Sequence, residues 1–185
     1  MANEDGFIGA IRKVVMGHDG SGRTIVVSDA PASSHGPIGA GGMVVHDLWE
    51  TFEAPTPIPP TEPDPSDRPL DFRMPDIGIR VRIAEMPPSG DRAPFMHRTE
   101  SVEVVQVQSG EMTMLIDDGE AVVLRPGDTL IQRATNHAWV NRGPEVCRVM
   151  FIMIGGKLSD DLKALLGVDK LEWDPEGGGT GHKAD

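Results

Sequence analysis

The sequence predicts an all-β antiparallel sandwich or barrel, and three observations carry that prediction. Seven short β-rich runs follow one another between Ile77 and Ile154. Turn formers separate them: Ser109-Gly110, Asp117-Asp118-Gly119, Pro126-Gly127-Asp128 and Arg142-Gly143-Pro144. No helical period competes until Leu158. Many short strands joined by explicit turns are the pattern of a closed or two-layered antiparallel sheet, not of alternating strands and helices.

The elements follow in chain order. Ile11–Met16 and Thr24–Ser28 are apolar-rich and flank Gly17-His18-Asp19-Gly20-Ser21-Gly22, so residues 11–29 read as a hairpin. Residues 30–41 are rich in Pro, Ser, Gly and Ala and read as a loop, after which Met43–Trp49 is a further strand. Ala54–Leu70 holds seven prolines, which cannot donate to a ladder, so an extended irregular segment is expected there. The barrel strands are Ile77–Ala84, Val102–Gln108, Glu111–Ile116, Ala121–Leu124, Thr129–Gln132, Ala138–Asn141 and Val146–Ile154. Leu158–Leu166 shows a short amphipathic helix that Ser159 can cap and Gly167 can end. The glycine-rich tail from Glu176 is expected to be disordered. This gives one structural domain with four parts: a strand arm (1–53), a proline-rich loop (54–76), the barrel (77–156) and a helix with its tail (157–185).

Composition bounds the partners. A net charge of −12 over 185 residues repels phosphate backbones and anionic lipids, so neither nucleic acid nor a membrane is an expected partner. Met1–Ile11 lacks a basic region followed by an apolar run, no stretch is long and apolar enough to span a bilayer, and a cytoplasmic protein is expected. Tyrosine is absent, which removes phenol chemistry. The single cysteine, Cys147, lies in an apolar strand and reads as a buried, inert thiol.

The reactive side chains concentrate in two stretches, Gly90–Gly110 and Pro126–Asn141. Alternate residues of a strand share a face, so His97, Thr99 and Glu103 can point together, with Arg98 and Glu100 turned away and Arg98 exposed. His137 must arrive from a strand lining the same interior, and Trp139 shares its side. Arg80 and Arg82 alternate on one strand and share a face, either interior or surface; an arginine in the interior would suit an acidic ligand.

These stretches resemble the cupin superfamily. Its first motif runs glycine, five residues, His-x-His, three or four residues, glutamate, six residues, glycine. His97, Glu103 and Gly110 match it, and Gly90 lies one residue further out. Its second motif, Pro-x-Gly-x-x-His-x-x-x-Asn, is matched at its end by His137 and Asn141. Gln132 stands for the motif proline, Ala134 for its glycine, and Thr99 for the second histidine. The resemblance implies a double-stranded β-helix, or jelly-roll barrel, often a homodimer. A metal held by His97, Glu103 and His137 is also implied, the two-histidine, one-carboxylate set of non-haem iron oxygenases. The metal would be divalent iron, manganese, nickel or zinc; in the alternative the site has lost it, since threonine is a poor ligand. Thr99, Trp139, Arg80 and Arg82 are the expected substrate contacts. The expected function is binding of a small organic molecule, acidic or aromatic, by a metal-dependent oxidoreductase or related enzyme; the alternative is a metal-free binding protein or sensor. The Asn136-His137-Ala138-Trp139 string is also similar to cupin oxidoreductases of fungal polyketide pathways.

Overall fold

The computed structural model describes residues 10–38, 42–70 and 76–168. The tail from Glu176 lies outside the described residues. Among the described residues eleven strands and one α-helix are formed: β1 Arg12–His18, β2 Thr24–Pro31, β3 His35–Ile38, β4 Met43–Thr51, β5 Ile79–Met86, β6 Ser101–Ser109, β7 Met112–Leu115, β8 Ala121–Leu124, β9 Thr129–Arg133, β10 Ala138–Val140, β11 Cys147–Gly155 and α1 Asp160–Leu166. The seven expected barrel strands are β5 to β11, with ends displaced by at most about two residues, a displacement within the usual scatter of strand ends.

Two antiparallel sheets make the body: β3-β4-β5-β11-β6-β9 and β10-β7-β8. One apolar cluster joins them. It takes Val105, Val107, Val149, Phe151 and Met153 from the larger sheet and Met112 and Leu124 from the smaller. The protein is thus an all-β jelly roll with its core between the sheets. Cys147 is a fully buried member of that core, and burial pushes its thiol up to about 12, as an inert residue requires.

One expectation is overturned. The 30–41 stretch is not a loop throughout, because His35–Ile38 forms β3 and pairs with β4. Its Gly and Pro content signals a loop, yet an edge strand tolerates proline because one of its sides has no ladder to complete. Through β4, which pairs with β5, the N-terminal third extends the barrel's own larger sheet, while β1 and β2 form a separate hairpin. Asp19 shapes that hairpin's turn, its carboxylate accepting from Ser21 and Arg23 and thereby held at about 2. His18 and Asp19 line a surface hollow of about 480 Å³ with Ile58 and Pro60, well away from the barrel motifs. Helix α1 begins as expected: the Ser159 hydroxyl accepts from Leu162 N at 3.2 Å, and Gly167 closes it at φ 67°.

Candidate functional site

Register decides which side chains face the interior. In a directly paired antiparallel row the side chains lie on one face. Met153 pairs with Arg80 on one side and Glu103 on the other, and Glu103 pairs with Gln132. Glu50 pairs with Arg80. One interior row therefore runs Glu50, Arg80, Met153, Glu103, Gln132 across five strands. The next row holds Asp47, Arg82, Phe151 and Val105.

Arg80 and Arg82 thus lie inside, each against a carboxylate. Arg80 donates to Glu50, which also accepts from Arg68, and Arg82 donates through two nitrogens to Asp47. Arg80 and Glu50 are almost wholly buried. Neither carboxylate was marked by any motif; both come from β4, about thirty residues upstream of β5.

The two motif histidines meet directly. His97 and His137 form an isolated antiparallel bridge, His97 N donating to His137 O at 2.8 Å and His137 N to His97 O at 2.9 Å. Their ring centroids are 4.3 Å apart. Each ring nitrogen Nδ1 lies against a backbone carbonyl: Phe95 O at 3.1 Å for His97, and Thr135 O at 2.9 Å for His137. A carbonyl only accepts, so both Nδ1 atoms carry the proton and both Nε2 atoms carry a lone pair. The His137 Nε2 is buried and meets no hydrogen-bond partner among the described residues.

Burial holds both imidazoles neutral. His137 is lowered to about 3, first by desolvation and then by the neighbouring His97. His97 is lowered in the same direction, also by burial, against opposing help from Phe95 O and the Glu103 charge. This has a measurable consequence. Between pH 6.5 and 3 the unfolded chain protonates an imidazole that the folded chain leaves neutral, so stability is complete above pH 6.5 and falls as pH drops through that window. At pH 5 the loss is about 2 kcal/mol for such a histidine. Urea unfolding at pH 7 and 5 should show this loss, and His137→Gln should flatten it. An equal slope in the variant would mean that His137 is not neutral in the native protein.

Glu103, whose charge reaches His97, is hydrogen-bonded into a hydroxyl cluster. Its Oε1 accepts from Thr99 Oγ1 at 2.8 Å and from Ser101 Oγ at 2.7 Å, and the two hydroxyls lie 2.7 Å apart. Gln132 Nε2 donates to Thr99 at 3.4 Å. Thr99 and Glu103 do share a side, as strand parity requires. Ser101 has the same parity, but serine carries no motif weight that would single it out in the sequence.

The imidazoles suit a metal: two unprotonated Nε2 atoms, one of them buried without a partner. The three-donor set does not fit, since among the described residues no three His, Cys, Asp or Glu side chains are placed to hold an ion. Trp139 lies edge-on to His137 at 5.2 Å and to Phe151 at 5.4 Å. Arg98, expected to be exposed, is half-buried, its guanidinium donating to Ala134 O across the two motifs. Glu100 does face away, accepting from Leu158 N at 3.0 Å. Asn141 is a turn clamp, donating to Met86 O and Glu145 O and accepting from Gly143 N. Ala134, at the motif's glycine position, keeps the left-handed conformation that position uses, with φ 49°.

Comparison with known proteins bears on this geometry. Residues 82–153 match the family model described as a cupin domain. "Phomopsin biosynthesis cluster protein C'" of Diaporthe leptostromiformis is 38% identical over 99 residues, covering 52% of this chain and 51% of that protein. "Cupin-domain-containing oxidoreductase fogC" of Aspergillus ruber is 27% identical over 148 residues, covering 76% of this chain and 70% of that one. "Cupin-domain-containing oxidoreductase srdD" of Neurospora crassa is 34% identical over 89 residues, covering 46% and 44%. The matched region is thus about half the length of the phomopsin-cluster protein. Among the described residues no helix is long and apolar enough to cross a membrane.

Proposed function

We propose, from the match of residues 82–153 to the cupin-domain family model, that the protein is a small-molecule enzyme whose centre is the His97–His137 pair. The buried, unpartnered Nε2 of His137, 0% of that residue being exposed, carries the reading. A buried lone pair without a donor forfeits a hydrogen bond, and a ligand hydroxyl or an acidic C–H placed there would restore one. With Nδ1–H anchored on a carbonyl, the ring is fixed in orientation, and its Nε2 lone pair is available to accept a hydrogen bond from the ligand. Trp139, edge-on to His137, and Thr99, bonded to Glu103, would position the ligand. Arg80 and Arg82 hold the wall: an anionic ligand would meet arginines already paired with carboxylates. The fungal relatives named as oxidoreductases favour that reaction class.

A divalent iron, manganese, nickel or zinc ion would be held by His97, His137 and Glu103, whose Oε1 here accepts from Thr99 and Ser101. A second reading, a metal-free binding protein, is favoured by the two hydroxyls of Thr99 and Ser101 that donate to Glu103 Oε1.

Elemental analysis of untagged protein, followed by titration of each of the four metals, separates the cases. The His-pair reading expects ligand binding in a thermal-shift screen of small hydroxy and carbonyl compounds, lost in His97→Ala and in His137→Ala. Metal that binds stoichiometrically and is lost in Glu103→Gln would move the centre to the three-ligand set. Ligand binding unchanged in both histidine variants would sink the reading.

A further inference from the structure

The site continues outward as a file of rings. Phe95 lies against His97 at 5.4 Å with an interplanar angle of 28°, and His97 against His137 at 4.3 Å. Beyond them Trp139 meets His137 and Phe151 meets Trp139. The file runs from the surface to the core, its outer end exposed (Phe95, 46%) and its inner end buried (Phe151, 7%).

Aromatic side chains are scarce in this protein: five phenylalanines, three tryptophans and no tyrosine. Three of these eight stand in one file through the proposed centre. Burial accounts for Phe151 and for much of Trp139, but not for Phe95. A large apolar ring half-open to water on a loop gains little from folding. One face lies near-parallel against the His97 imidazole while almost half of the residue is open to solvent, where a further flat ring could stack.

We propose that Phe95 is a specificity-determining residue, a stacking platform that selects planar aromatic ligands and holds them over His97. The inference rests on the His97–His137 centre of the preceding section and names the class of molecule that centre takes. Phe95 supplies no proton and no charge. It supplies a flat face whose quadrupole and dispersion favour an aromatic ring over a puckered one of the same size. Leucine keeps the apolar area and loses the face; tyrosine and tryptophan keep the face.

The test compares 1-naphthol with its saturated counterpart, decahydro-1-naphthol, by isothermal titration. Wild type, Phe95→Leu, Phe95→Trp and His137→Ala are measured, with equal thermal midpoints for wild type and the Phe95 variants confirming the fold. The wild type should prefer the aromatic probe by about three- to tenfold, the excess expected of one stacked pair. The preference should vanish in Phe95→Leu and persist in Phe95→Trp, and both probes should lose binding in His137→Ala. A preference that survives Phe95→Leu, or equal binding of the two probes by the wild type, overturns the platform while leaving the histidine centre intact. No binding of either probe to the wild type, or binding indifferent to His137→Ala, overturns both.

Discussion

Replacing Glu50 by alanine is expected to cost about 3–5 kcal/mol of folding free energy, because it breaks a buried ion pair from one side only. Glu50 and Arg80 are each about 1% exposed, and Arg68 donates to the same carboxylate. Removing the carboxylate leaves the desolvation of the Arg80 guanidinium in place and deletes a charge that offsets it. The net worth of the pair is a separate quantity. Exchanging both partners together, as Glu50→Leu with Arg80→Met, should cost far less than Glu50→Ala alone, since apolar side chains of similar volume remove the desolvation with the attraction. Urea unfolding of the three proteins measures both. A cost for Glu50→Ala below about 1 kcal/mol, the range of exposed pairs, would show that water reaches the pair.

Gly110→Ala should be nearly as damaging, for a steric reason. Gly110 sits at φ 74°, and a Cβ there would lie 2.8 Å from Cys147 Cα and 3.0 Å from Val146 O. The left-handed backbone alone costs an L-residue about 1–2 kcal/mol. The clash is with backbone at the start of β11, next to a fully buried core residue, and overpacking of that kind adds about 1–3 kcal/mol. Gly127→Ala is the control: its φ is 94°, but its Cβ would meet nothing within 4 Å. Only the backbone cost should appear there. Thermal unfolding should rank wild type above Gly127→Ala and Gly127→Ala well above Gly110→Ala. Equal losses in the two variants would mean that β11 yields to the added methyl.

Gly110 also shows what a motif can convey. It is the closing glycine of the first cupin motif, and its spacing from Glu103 locates it without any structure. Glu50 is the opposite case. Nothing near it in sequence distinguishes it from other acidic residues, and its importance comes from β4 pairing with β5 so that it meets Arg80. The arginines were visible as an alternating pair, but periodicity of two gives only a shared face, not which face. Phe95 was likewise one apolar residue in a loop until its ring lay against His97.

Residue order marked the strand rhythm of β5 to β11, the turns between them and the capped helix through period two and turn chemistry, which act within a few residues. His97, Glu103 and His137 were brought together as one candidate centre only by the resemblance of two separate stretches to known motifs. The three-dimensional fold decided that β3 and β4 extend the barrel's own sheet, that Arg80 and Arg82 face inward against Glu50 and Asp47, and that Glu103 Oε1 accepts from Thr99 and Ser101. Those outcomes depend on register between strands far apart in the chain. Neighbouring registers exchange one whole face for the other, and the choice between them rests on the summed burial of every row.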